Sequence, residues 1–161
     1  MSAFSIRPIN ASDKEWILRF MITQWGAETV IVHDTIYRPA ELPGFVAIQK
    51  NGMVGLVTYH LDGKECEIVT IDSLRPSMGI GTALIETVKQ VALETGCRRL
   101  WLITTNDNLH ALGFYQKRGF ALVAVNRNAV DKARKQKPEI PFIGANSIPL
   151  RDEIELEMML L

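Results

Sequence analysis

Residues 74–84, Leu-Arg-Pro-Ser-Met-Gly-Ile-Gly-Thr-Ala-Leu, constrain this chain more than any other stretch. A β-rich run over 67–74 leads into them and a long amphipathic pattern over 80–95 leads out, so they form a strand-to-helix loop. Gly79 and Gly81 lack a Cβ, which opens backbone conformations closed to other residues and lets a ligand come close to the main chain. The helix that follows begins with N–H groups that have no internal acceptor and lie at the positive end of its dipole. Together these make a phosphate site built of backbone. Two familiar phosphate loops do not fit. The dinucleotide fingerprint needs a third glycine where Leu84 stands, and no Gly-Lys-Ser/Thr triplet occurs. A tight strand-to-helix turn with no ligand is the other reading of the same residues.

The rest of the chain narrows the setting. Its 161 residues suit one domain, residues 1–161, with a substantial core. Eighteen basic residues balance eighteen acidic ones, so no global field draws it to nucleic acid or to a membrane. No apolar stretch approaches the roughly 20 residues that span a bilayer, and residues 1–10 lack the layout of a signal peptide. Cys66 and Cys97 make neither a disulfide framework nor a metal-ligand spacing, so no metal is expected. The simplest expectation is a cytoplasmic protein.

Taken in order, residues 4–9 read as a short strand, and Asn10 to Asp13 offer caps for a helix whose apolar stripe is Trp16, Ile17, Phe20 and Met21. Gly26 ends that helix. Residues 30–43 are polar and aromatic, a cover for a site or an ordinary surface loop. Residues 44–49 and 53–61 are strands joined at Asn51-Gly52, and Asp62-Gly63 makes a second turn before a strand over 65–74. That strand is apolar on both faces near Ile68, Val69 and Ile71, as a central strand should be. The helix from Ile80 stops at Gly96, a strand covers 99–105, and Asn106 to Asn108 cap a helix running to Arg118. Gly119 precedes a strand over 120–125. The basic run at 126–137 reads as a solvated helix face or a nucleic-acid patch, and net neutrality favours the first. Residues 138–149 are a loop with three prolines. A half-buried closing strand over 153–160 alternates Ile154, Leu156 and Met158 with glutamates.

This order, with a glycine loop at the end of a three-strand meander, resembles the Gcn5-related N-acetyltransferase (GNAT) family. Two motifs carry the resemblance. Met78 to Leu84 resembles the end of its pyrophosphate-binding motif. Residues 108–120, Asn-Leu-His-Ala-Leu-Gly-Phe-Tyr-Gln-Lys-Arg-Gly-Phe, resemble its second motif, with Asn, Ala, Tyr and Gly-Phe at the family's intervals. The likeness covers residues 4–125. One departure is Pro76, where the family usually has Gln or Arg. Proline has no N–H to donate, so that phosphate contact is absent or comes from Arg75.

The resemblance implies an α/β fold: a mixed central sheet of six to seven strands, two parallel strands splayed at its centre, and flanking helices. It implies acetyl-CoA as cofactor and transfer of the acetyl group to a primary amine by direct attack. The cofactor would lie where the strands ending near Leu74 and Thr105 splay. Ile71, Asp72, Ser73 and Leu74 would hold its pantetheine arm and supply an oxyanion donor, and Met78, Gly79, Ile80, Gly81 and Thr82 its pyrophosphate. Asn108 would bond the pantetheine arm or simply cap its helix. Tyr115 matches the family's tyrosine near the thioester sulfur. A phenol ionises near pH 10, so it holds a proton to donate at neutral pH; packing beside Leu112 is the alternative. Glu67 resembles the catalytic glutamate of several members, against a strand-edge glutamate facing water, and His33, His60 and His110 are alternative bases.

A non-catalytic acyl-CoA-binding or regulatory module on the same fold is the rival class. The acceptor, a small molecule or a peptide amine, is not named by any residue, although residues 25–45 are the stretch expected to shape its pocket. No nucleic acid or membrane partner is expected, and a homodimer is left open.

Overall fold

A computed structural model describes residues 3–160. In chain order the elements are β1 (Ser5–Pro8), α1 (Lys14–Trp25), β2 (Val30–Val32), β3 (Thr35–Tyr37), β4 (Gly44–Gln49), β5 (Gly52–Asp62), β6 (Glu65–Ser73), α2 (Ile80–Glu94), β7 (Arg99–Thr105), α3 (Leu109–Lys117), β8 (Ala121–Asn126), α4 (Ala129–Arg134) and β9 (Glu153–Met159). Short 3-10 turns cover Ala11–Asp13, Pro39–Glu41 and Ala145–Ser147. The fold is thus α/β. Its described residues divide into two compact units, one of residues 3–30, 37–100 and 160, the other of Ile31–Ile36 and Trp101–Met159.

In the first unit four strands lie in the order β1-β4-β5-β6, every neighbour antiparallel. β5 and β6 are buried along most of their length, and α2 lays Ile80, Leu84, Ile85 and Val88 against the sheet. Each such side chain contributes roughly 1.5–3 kcal/mol of burial. The helix sits very close at Gly55. A Cβ there would come within 2.6 Å of Ile80 Cγ2 and 3.2 Å of Leu84 Cδ1, so only glycine admits the packing. This contact fixes where the first turn of α2 stands relative to β5.

At the start of the chain, the Asn10 side chain and Asp13 cap one another reciprocally. Arg7 clamps Asp13 with bonds of 2.7 and 2.9 Å, and the guanidinium holds that carboxyl below the usual carboxylate range. α1 then ends at Gly26, in the left-handed region at φ 82°.

Both hairpin turns sit one residue away from the expected place. The first is Lys50-Asn51, at φ 50° and 66°, and Gly52 already belongs to β5, facing Gln49. The second is Gly63-Lys64, between the paired Asp62 and Glu65. Pairing of the apolar positions on each strand fixes the register, and the turn falls where that register leaves two residues over. Asn51 tolerates the left-handed conformation, so the glycine beside it is not needed for the turn.

In the second unit the strands lie in the order β7-β9-β8, with β8 and β9 antiparallel and Asn126 opposite Glu153. α3 starts at Asn108, whose side chain accepts the Ala111 N–H at 3.2 Å, and Gly119 follows it at φ 98°. The basic run is not uniformly solvated. Arg134 is buried, donates to the carbonyls of Ile140, Pro141 and Leu150, pairs with Asp131 and lies over the Phe142 ring. It staples the proline-containing loop. Asp107 anchors the same loop through Ala145 N–H at 2.8 Å, and a Cβ on Gly144 would collide with its carboxylate at 2.1 Å.

β9 does not alternate as its sequence suggests. Glu153 is buried while Ile154 and Met158 are half-buried, because the Glu153 carboxylate is drawn inward by the His33 backbone N–H at 3.1 Å. Residues 30–37, ambiguous in sequence, form the β2–β3 hairpin.

Candidate active site

In the first unit the glycine loop follows β6 directly. Leu74 N–H bonds the Val54 carbonyl at 2.9 Å, and Ser73 Oγ bonds the Arg75 carbonyl at 3.1 Å, so the loop leaves the sheet as a fixed turn. Ser77 and Gly79 then take left-handed conformations at φ 66° and 77°. A left-handed Gly79 followed by helical Ile80 turns consecutive N–H groups to one side, a nest for an anion. Two features fit an anionic occupant. The start of α2 carries no side-chain cap and no acidic residue in its first turn, so no carboxylate competes there. A Cβ built on Gly79 meets nothing within 4 Å, so the space over the backbone is open. Gly81 differs from the sequence expectation: it is the second residue of the helix, where φ is ordinary. Its value to a ligand is the missing side chain, not an unusual conformation.

Upstream on β6, the pairing with β5 shifts register between Thr58 and Tyr59. Thr58 faces Thr70 and Tyr59 faces Ile68, leaving Val69 as an extra residue. Such a bulge bends a strand and re-aims the side chains beside it. Glu67 lies next to this bulge and is only 3% exposed. The water-facing alternative for this glutamate is therefore excluded. Its Oε1 accepts the Tyr37 phenol at 2.6 Å, and Tyr37 in turn lies against His60, ring centroids 5.5 Å apart. Burial first, and then the bond to Glu67, push the Tyr37 phenol well above its ordinary value, so it stays a donor.

Asp72, on the same strand nearer the loop, accepts the Trp25 indole N–H at 3.1 Å. Burial pushes its carboxyl up to about 6, against the opposing effect of the indole. Cys66 is buried beside Glu67, and burial pushes its thiol up to about 12, which makes it inert. Cys97 is also buried, and both thiols are free.

In the second unit Tyr115 is 9% exposed on α3, edge-on to Phe114 and Phe120 at 5.5 and 5.7 Å. Its ring packing is thus set by aromatic neighbours and not by Leu112 alone. Asn108 caps α3 as described. His110 is exposed and stacks near Phe114. His33 lies against Trp101 at 5.2 Å.

Tyr37 and Trp25, which donate to the candidate residues Glu67 and Asp72, and the side chain of Asp72 itself are not singled out by the sequence. The mixture of aromatic and polar residues over 25–45 was their only signal. Which strand residue each would meet depends on a register no local pattern reveals.

Comparison with known proteins gives the family and the fold. The Acetyltransferase (GNAT) family matches residues 12–120. The uncharacterized protein YdhI of Bacillus subtilis (strain 168) is 46% identical over 150 residues, 92% of this chain and 94% of its own. Among solved structures, the IAA acetyltransferase from Bacillus cereus ATCC 14579 superposes with a TM-score of 0.72 over 98% of this chain and 100% of its own, at 24% identity. A GNAT family acetyltransferase from Elizabethkingia anophelis, with acetyl-CoA bound, gives 0.72 over 98% of each chain at 22% identity. This chain belongs to the GNAT acetyltransferase family, and its fold is that of the family's solved members. Among the described residues, no helix is long and apolar enough to cross a membrane.

Proposed function

We propose that the whole chain is one cytoplasmic acetyltransferase domain that moves an acetyl group from acetyl-CoA to a primary amine. The observation that carries this reading is the start of α2: a left-handed Gly79, open space over it, and a first turn without cap or carboxylate. When bound, acetyl-CoA supplies a thioester whose carbonyl carbon is open to an amine. The chain's own residues do the rest. Amides from Met78 to Thr82 hold the pyrophosphate. Arg75, exposed in the loop, supplies the charge where Pro76 has no N–H to give. Main chain over 71–74 bonds the pantetheine arm, and one of its N–H groups donates to the acetyl oxygen.

Proton movements then fall to two side chains. An ammonium has no lone pair, so one proton must leave the acceptor before attack; Glu67 takes it, directly or through one water. With acetyl-CoA bound, the Tyr115 phenol would supply the proton that the leaving thiolate needs when the amine displaces it from the acetyl group. The second proton shed by the nitrogen restores the phenol. Tyr37 is a positioning residue in this scheme, because its bond to Oε1 fixes the rotamer of Glu67.

Two measurements test the reading. Calorimetry should show acetyl-CoA binding to the folded protein, and thiol release should appear with at least one amine in a broad panel. Binding without release across the panel would identify a non-catalytic acyl-CoA-binding module instead.

A further inference from the structure

Asp72, Thr70 and Glu67 share one face of β6. Gly55, the partner of Ser73, lies under Ile80 and Leu84, so Ser73 faces α2 and its neighbour Asp72 faces away from that helix. The β5 partners of the three residues, Leu56, Thr58 and His60, alternate without a break, and Thr58 and Thr70 bond hydroxyl to hydroxyl at 2.6 Å. Val69, the extra residue of the bulge, is what brings Glu67 to that side. Leu56 and His60 are four residues apart, which at about 3.3 Å per residue separates the Asp72 and Glu67 backbones by about 13 Å.

The two carboxylates are served differently. Glu67 is held by the Tyr37 phenol. Asp72 has one donor, the Trp25 indole N–H on Oδ2, and among the described residues no lysine, arginine or histidine pairs with it. Its Oδ1 accepts nothing from the chain. No buried side-chain polar atom among the described residues lacks a partner, so Oδ1 reaches solvent and can accept from a ligand. The buried Asp13 and Asp152, by contrast, each have an arginine. Burial raises the Asp72 carboxyl to about 6, which leaves it ionised at neutral pH with its charge met by one neutral donor. A cation from outside the chain would supply what is missing. Trp25, in the last turn of α1, is 38% exposed, so part of its ring is open beside the carboxylate, and an indole face attracts an ammonium.

An ammonium on Asp72 is not the nitrogen that reacts. A neighbouring carboxylate favours the charged form, which has no lone pair to attack with. In the acetyl-transfer reading the pyrophosphate lies at 78–82 and the pantetheine along 71–74, so the acetyl end is directed towards Glu67. A carbon chain joining the reacting nitrogen to the held one then runs between the two carboxylates. With a hydrogen bond of about 2.8 Å at each end, a linker of roughly four to six methylenes covers the interval.

We propose that Asp72 and Trp25 bind an ammonium, and that the acetyl acceptor is an alkyl diamine or polyamine whose second nitrogen is held there. That the pair binds an ammonium stands by itself; that the ammonium belongs to the acceptor rests on the acetyl-transfer reading.

The test uses the full chain and the five-carbon diamine cadaverine. Without acetyl-CoA, cadaverine and n-pentylamine should both move the indole N–H resonance of Trp25, identified by its loss in Trp25→Phe, and n-pentanol should not. Asp72→Asn keeps an oxygen for the indole N–H and removes the charge, and it should weaken cadaverine binding about tenfold or more. In thiol release, kcat/KM for cadaverine should exceed that for n-pentylamine about tenfold or more, and in Asp72→Asn the two should come within about twofold. A resonance that no amine moves, or that n-pentanol moves equally, overturns the ammonium site. A diamine preference that survives Asp72→Asn, or n-pentylamine turned over as well as cadaverine, overturns the role of Asp72 in acceptor choice and leaves acetyl transfer standing. Movement of the resonance with no thiol release from any amine overturns acetyl transfer and leaves the ammonium site standing.

Discussion

The Tyr37 phenol donates to Glu67 Oε1 across 2.6 Å, joining a short hairpin strand to the buried middle of β6. Hydrogen bonds to a charged group contribute about 1.5–3 kcal/mol, and leaving a buried carboxylate without one of its donors costs on that order. Tyr37→Phe keeps the ring against His60 and deletes only the hydroxyl. It should lower unfolding stability by about 1–3 kcal/mol in urea, with the slope unchanged. A variant as stable as the parent would show that the bond contributes nothing net.

Glu67→Gln tests the base. The loss in turnover should be largest at neutral pH, where the acceptor is mostly ammonium, and should shrink as pH rises and free amine appears. A uniform loss at all pH values, or none, removes Glu67 from the mechanism.

Tyr115→Phe preserves the edge-on packing with Phe114 and Phe120 and removes the proton donor. A positioned general acid contributes about 10²–10⁴-fold, so turnover should fall within that range while acetyl-CoA affinity changes little. Parallel losses of affinity and turnover would mark a structural hydroxyl, and an unchanged rate would exclude the role.

The two loop glycines should fail differently. Gly79→Ala meets no neighbour but forces a side chain onto φ 77°, so about 1 kcal/mol of stability should be lost. Gly81→Val sits at an ordinary helical φ and instead fills space above the first-turn amides. It should weaken acetyl-CoA binding roughly tenfold or more, about 1.4 kcal/mol, in a folded protein. Unchanged affinity in folded Gly81→Val would place the pyrophosphate elsewhere.

Asp72 gives a pH signature. Its folded value of about 6 stands above the ordinary 3.8, so the fold binds this proton more tightly than the unfolded chain does. The resulting stabilisation is fully present below pH 3.8 and is lost as pH rises through about 6. Asp72→Asn should flatten the stability profile across that window. In the parent, the Trp25 indole N–H resonance should titrate with a midpoint near 6, since it donates to Asp72. An indole signal that does not move between pH 4 and 8 would contradict the raised value.

The sequence by itself determined the features that depend on a few neighbouring residues. Asn10 and Asn108 name helix starts because their side chains reach N–H groups two or three residues on. Gly26, Gly96 and Gly119 name the ends because the left-handed conformation there is local. The Met78 to Leu84 and Asn108 to Phe120 motifs carried the family for the same reason: each is a contiguous stretch of one strand-loop-helix or helix-loop unit. Tertiary structure alone decided the rest. Both hairpin turns moved by one residue because register is set by pairing over whole strands. Glu67 and Glu153, each a plausible solvent-facing residue in its own strand, are buried because partners 30 and 120 residues away donate to them. Arg134 left the basic face of α4 to collect three carbonyls of the segment that follows it, from Ile140, Pro141 and Leu150. A buried charge is tolerable only where donors converge on it, and that convergence is a property of the packed chain, invisible to any short window of sequence.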